Sequence, residues 1–208
     1  MLVFTALGAI SVALLVWSEW RGNRGRLAAK PAASACFIAV ALLVGATDTG
    51  YGRWVLAGLA LSAVGDVALL WRSSKLFLVG LGSFLLGHVA YVAAFATRGV
   101  DGGAAVVAVF VLSGPAFLVV RWLWPHVPPN MQFPVAAYAT VISLMVAMAI
   151  GTVVFEQDGR IVVAAVMFYC SDLAVARDRF VAPGRVNRLW GLPLYFAAQF
   201  VFAATAAT

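Results

Sequence analysis

The chain has 208 residues, of which 64% are hydrophobic and 11% charged, with a net charge of +6 and a mean hydropathy of +1.00. A soluble domain carries about 25% charged residues to coat its surface, so a water-soluble fold is excluded and the solvent is lipid. One helical crossing of a hydrocarbon layer about 30 Å thick takes roughly 20 residues, which leaves room for about eight crossings in one domain, residues 1–208, and for no extramembrane domain.

The apolar runs between charges and prolines predict an all-α integral membrane protein with eight transmembrane helices. The first is Leu2 to Ser18; no basic residue precedes it and Arg21, Arg24, Arg26 and Lys30 follow, the reverse of a cleavable signal. Pro31 to Ala46 and Trp54 to Trp71 come next, then Leu76 to Ala96 and Ala104 to Trp122. Pro134 to Phe155, Ile161 to Ala176 and Leu189 to Ala206 complete the set. Pro31 and Pro134 stand where a helix can start without losing a backbone bond, whereas Pro115 and Pro193 predict kinks. All seven tryptophans, Trp17, Trp20, Trp54, Trp71, Trp122, Trp124 and Trp190, fall at span ends, as an interfacial aromatic belt requires.

The basic residues also sit at span ends, where they orient the chain; nucleic acid is not an expected partner. Connections 1-2, 3-4, 5-6 and 7-8 hold eleven of the fourteen, Lys30 among them, while Arg53, Arg98 and Arg160 lie on the other side. The positive-inside rule makes the first set cytoplasmic and both termini non-cytoplasmic. Cys36 and Cys170 lie in apolar runs and read as small hydrophobes. The chain is expected in a bacterial cell membrane as a multi-pass protein, and nothing in it specifies an oligomeric state.

Only two carboxylates fall inside the predicted hydrocarbon, Asp66 in span 3 and Asp172 in span 7. A mid-span Asp costs about 2.5 to 3.5 kcal/mol, so both should face a shared interior. Spans 3 and 7 run in the same direction, and the motifs around them align as a 4+4 internal repeat: Gly65-Asp66 with Ser171-Asp172, and Gly80, Phe84 and His88 with Gly191, Tyr195 and Gln199. If the two carboxyls meet in a pocket of low dielectric they cannot both ionise readily, and the pair supplies an acid and a base together. Alternatively each is a structural lock, hydrogen-bonded across helices or paired with a cytoplasmic Arg.

Other polar residues frame the pair. Ser62 lies one turn before Asp66 and either glues helices or orients its carboxyl; His88, with Phe84 and Tyr91 on one face, lines the cavity or bridges helices. Tyr195 and Gln199 form a similar face on span 8; Tyr169 and Asn187 are further candidates, Asn187 also as the cap of the last helix. There is no Cys/His ligand spacing, phosphate loop or nucleophile elbow, so metal catalysis is not expected.

The run Leu61-Ser62-Ala63-Val64-Gly65-Asp66, the run Gly80 to His88 with Tyr91, the Ser171-Asp172 pair and the Tyr195 to Gln199 segment resemble the YhhN-like or TMEM86 lysoplasmalogenase family. The resemblance implies a cofactor-free hydrolase that cleaves the vinyl ether of lysoplasmalogens to a fatty aldehyde and a glycerophospho-base, with Asp66 and Asp172 as the family's two intramembrane aspartates. Its partners would be the lysophospholipid substrate and membrane lipid. In that setting His88, Tyr91 and Gln199 would orient water or glycerol oxygens, Tyr195 would line the chain, and Arg72, Lys75, Arg185 and Arg188 would hold the phosphate at the rim. Two alternatives come from other chemistry: a small transporter or lipid-binding protein that uses the aspartates for proton or cation coupling, and a lipid hydrolase built on the serines.

Overall fold

The computed structural model describes residues 1–71 and 73–207; Arg72, read above as a rim residue, and Thr208 lie outside the described residues. Local chemistry sets the helix ends. Thr49, Ser73 and Asp101 each accept a hydrogen bond from a backbone N–H three residues on, starting α3 (Gly50–Ala68), α4 (Ser74–Arg98) and α5 (Gly102–Leu123), and Asp158 caps α7 (Gly159–Ala176) through Arg160 N. Gly22 at φ 67° closes α1 (Leu2–Arg21), and Gln157, at φ 60°, closes α6 (Pro129–Glu156). The remaining helices are α2 (Arg26–Leu43) and α8 (Arg185–Thr205), and no strand occurs among the described residues.

Two expected starts shift. Pro31 and Pro134 stand inside α2 and α6, each five residues past the true beginning. Helix α6 instead opens on Pro129, whose missing N–H costs nothing in the first turn, and α2 opens after Gly25. Lys30 is therefore carried inside α2, not in the connection before it. Pro115 and Pro193 lie within the continuous helices α5 and α8. Arg177–Val181 extends α7 by a π-helical turn.

Six of the eight helices, α1, α2, α4, α5, α6 and α7, are long and apolar enough to cross a membrane. The two that are less apolar each pack on several neighbours. Helix α3, with the buried Asp66, packs on α2, α4 and α8; α8, with the buried Gln199, packs on α1, α2, α3 and α7. Helix surface that meets protein need not be as apolar as surface that meets lipid. All seven tryptophans are exposed on the outside of the bundle, from 38% at Trp190 to 64% at Trp20.

Glycine lets the central helices approach closely. A Cβ on Gly65 would lie 2.6 Å from the Phe84 ring, and one on Gly58 2.6 Å from Tyr91. One contact recurs in the second half: a Cβ on Gly80 would stand 3.5 Å from the Gly65 carbonyl, and one on Gly191 3.5 Å from the Ser171 carbonyl. These carbonyls immediately precede Asp66 and Asp172, so α4 on α3 and α8 on α7 dock at the same place relative to each carboxylate.

Candidate active site

Asp66 is held from two neighbouring helices. Ser34 of α2 donates to its Oδ2 at 2.7 Å, Tyr195 of α8 donates to the same oxygen at 2.6 Å, and Lys30 Nζ faces Oδ1 at 3.1 Å. Lys30 and Ser34 are four residues apart and so share one face of α2. The carboxylate is 1% exposed, and a buried charge of this kind persists only when paired and hydrogen-bonded.

Asp172 has a different set of partners, from α6 and α4. Tyr138 donates to its Oδ2 at 2.6 Å, and His88 Nε2 stands 3.6 Å from that oxygen. His88 Nδ1 lies 2.6 Å from the Phe84 carbonyl, which can only accept, so the ring hydrogen is on Nδ1. Nε2 has no hydrogen-bond partner and faces Asp172, to which a neutral ring with its hydrogen on Nδ1 would present a lone pair.

Among the described residues no hydrogen bond joins the two carboxylates. Between their partner sets lies Phe168, one turn before Asp172, whose ring centroid is 4.5 Å from that of His88 and 5.3 Å from that of Tyr195. Both carboxylates nevertheless line one cavity of about 350 Å³. Its walls are largely apolar, with Phe84 from α4, Val119 from α5 and Ile142 from α6, and at one end it reaches Glu19, Arg179 and Arg188. This is the end bounded by the arginine-rich connections.

The other sequence candidates divide. Phe84, Tyr169, Asn187 and Tyr195 line the cavity with the aspartates. Ser62, His88, Tyr91 and Gln199 stand behind its wall. Ser62, fully buried, makes no hydrogen bond to Asp66; the orienting hydroxyl comes from Ser34 on another helix. Tyr91 donates to Gln199 at 2.7 Å, Gln199 Nε2 donates to the Tyr195 oxygen at 3.2 Å, and Tyr195 donates to Asp66, a buried chain ending on the carboxylate. Asn187 is not a helix cap, since Gly184 holds that position. It ties down the π turn, donating to the Ala182 carbonyl at 2.7 Å and accepting from Arg177.

Sequence reasoning missed Lys30, Ser34 and Tyr138. Taking Pro31 as a helix start put Lys30 outside the span, and one turn after each of Pro31 and Pro134 a hydroxyl, Ser34 or Tyr138, went unremarked. The rim arginines are engaged by groups of the protein, Arg188 at the lining of the cavity. Arg188 is paired at 2.6 Å with Glu19 and at 3.3 Å with Asp178, and Arg185 donates to the Trp20 carbonyl. Among the described residues no three His, Cys, Asp or Glu side chains converge as a metal site.

An all-helical membrane bundle with two carboxylates, Asp66 buried and Asp172 partly so, on one cavity defines the class. The YhhN family model matches residues 25–206, and the chain belongs to the YhhN family. It is 31% identical over 160 residues to the lysoplasmalogenase TMEM86A of Bos taurus, covering 73% of this chain and 64% of the relative. It is 30% identical over 157 residues to the human lysoplasmalogenase TMEM86B, covering 76% and 65%. A lysoplasmalogenase of Mycobacterium tuberculosis is 31% identical over 163 residues, covering 73% and 59%. The chain thus spans slightly less than two thirds of the length of these relatives. No solved structure matches it.

Proposed function

We propose that this protein is an intramembrane hydrolase that cleaves the vinyl ether bond of lysoplasmalogens to a fatty aldehyde and a glycerophospho-base, with Asp66 and Asp172 as its acid-base pair. The observation that carries the reading is the convergence of the buried Asp66 and the partly buried Asp172 on one apolar cavity with a charged end. Kinship with proteins named lysoplasmalogenase supports it.

The chemistry suits two carboxyls and a water. A vinyl ether resists base but accepts a proton at its outer alkene carbon, because the ether oxygen stabilises the resulting oxocarbenium ion. One aspartic acid delivers that proton, and the other, ionised, stabilises the cation and takes a proton from the attacking water. The hemiacetal so formed breaks its bond to the glycerol oxygen, which leaves as the alcohol with a proton, and the aldehyde remains. A single-chain lipid matches the cavity's composition: the alkenyl chain against Phe84, Val119 and Ile142, the headgroup toward Arg179. In this reading all eight helices cross the membrane in two repeat-related halves, α1 to α4 and α5 to α8, each giving one aspartate.

The test is aldehyde release from lysoplasmalogen by the purified protein in detergent, with no gradient. Asp66→Asn and Asp172→Asn are each expected to reduce turnover at least about 100-fold with folding retained. Substantial activity in either variant removes that residue from the chemistry. Transport in sealed vesicles without aldehyde would favour the coupling role instead.

A further inference from the structure

The two carboxylates are not equivalent, because only one of them faces a fixed cation. Around Asp66 stand Lys30 and Ser34 from α2, Tyr195 from α8 and, more distantly, Tyr91 from α4. Lys30 Nζ is 3.1 Å from Oδ1, and its side chain is 11% exposed. Oδ2 takes hydroxyl donors from Tyr195 at 2.6 Å and from Ser34, whose single hydrogen is nearer Asp66 at 2.7 Å than the Lys30 carbonyl at 3.1 Å, and with the ammonium facing Oδ1 these are the surroundings of an anion.

Around Asp172 stand Tyr138 from α6 and His88 from α4; from α8, packed against α7, no charged side chain pairs with it among the described residues. The His88 ring is 1% exposed and packed 4.5 Å from Phe168 and 5.2 Å from Tyr138, and its Nδ1 hydrogen is committed to the Phe84 carbonyl. What it presents to Asp172 is the unpartnered Nε2, a hydrogen-bond acceptor. An acceptor complements a protonated carboxyl and repels an ionised one.

We infer that Lys30 is the positioning residue that fixes the division of labour, holding Asp66 as the anion so that Asp172 carries the proton that goes to the alkene carbon. The inference rests on the proposed hydrolysis for its kinetic consequence, but the charge assignment stands apart from it. The acid limb of the activity profile then reports ionisation of Asp66, and the alkaline limb loss of the Asp172 proton.

The experiment compares wild type, Lys30→Met, Lys30→Arg, Asp66→Asn and Asp172→Asn by infrared spectroscopy of the carboxylic acid C=O stretch at neutral pH, and the active ones by the pH dependence of kcat/KM for aldehyde release. Wild type should show a protonated-carboxyl band that Asp172→Asn removes and Asp66→Asn retains. Lys30→Met should strengthen that band and move the acid limb up by about 1 to 3 pH units, narrowing the active range, while Lys30→Arg restores both. A purely structural role for Lys30 would lower activity without moving the limb. The inference is overturned by a wild type with no such band, by a band that Asp66→Asn removes, or by Lys30→Met with an unchanged spectrum and limb. Because the Asn variants are read spectroscopically, the charge assignment is decided even if Lys30→Met does not fold. Absence of aldehyde release from wild type counts against the hydrolysis alone.

Discussion

Tyr138 and Tyr195 are the counterparts that matter most at the scale of single side chains, since each donates a 2.6 Å hydrogen bond to one carboxylate. A hydrogen bond to a charged group is worth about 1.5 to 3 kcal/mol and one to a neutral group about 0.5 to 1.5 kcal/mol, so Tyr195→Phe, at the anion, should lower kcat roughly 10- to 100-fold and Tyr138→Phe, at the protonated carboxyl, roughly 2- to 10-fold, with a smaller effect on KM, measured by aldehyde release. The aspartates themselves could be read from the sequence because lipid makes an Asp conspicuous among apolar residues. Of their partners, Tyr195 and His88 could be read from the motif that aligns spans 4 and 8. Ser34 and Tyr138 could not, since a lone hydroxyl in an apolar helix costs little, and Lys30 was hidden by a proline that resembled a helix start. Whether Asp66 and Asp172 met directly also depended on side-chain directions that helical periodicity does not fix; the bulk of Phe168 stands between their partners.

Helix by helix, the predicted apolar runs coincide with helices to within a few residues, because hydropathy and tryptophan placement agree. Only the prolines of α2 and α6 misled, since a proline six residues into a helix and one at its start leave similar marks in sequence. Close packing of the α7 and α8 pair was written in Gly191, where an added Cβ would lie 2.6 Å from the Ala174 side chain. Gly191→Ala should therefore destabilise the detergent-solubilised protein by about 1 to 3 kcal/mol. Gly82→Ala, with nothing within 4 Å, should leave thermal stability essentially unchanged. At the opposite end of the bundle Asp158 caps α7 and accepts from Arg160 and Arg98, and the Arg160 hydrogen bond holds its carboxyl below the usual carboxylate range. A depressed folded-state value gives stability that is present above the ordinary carboxylate range and lost as pH falls through the folded value. Asp158→Asn should accordingly lower the melting temperature at pH 7 and make little difference in strong acid, as thermal scans across pH would register.

For the whole molecule, the two helices not apolar enough to cross a membrane by composition, α3 and α8, lie among the more enclosed, together with the apolar α4. Helix α5 packs chiefly on α6 and leaves most of its surface to lipid, whereas α3 and α8 carry the polar groups inward. Composition announced a membrane protein but could not say which helices were enclosed, because that follows from contacts between helices distant in sequence. Glu19 illustrates what such contacts do. It lies on α1, before residue 25 where the match to the YhhN family begins, yet it neutralises Arg188 at the lining of the cavity, 169 positions away. The electrostatics of the vestibule are therefore governed by a helix that precedes the family's shared stretch. In the hydrolase reading proposed above, a substitution at Glu19 would change the charge that an incoming headgroup meets while leaving both aspartates untouched.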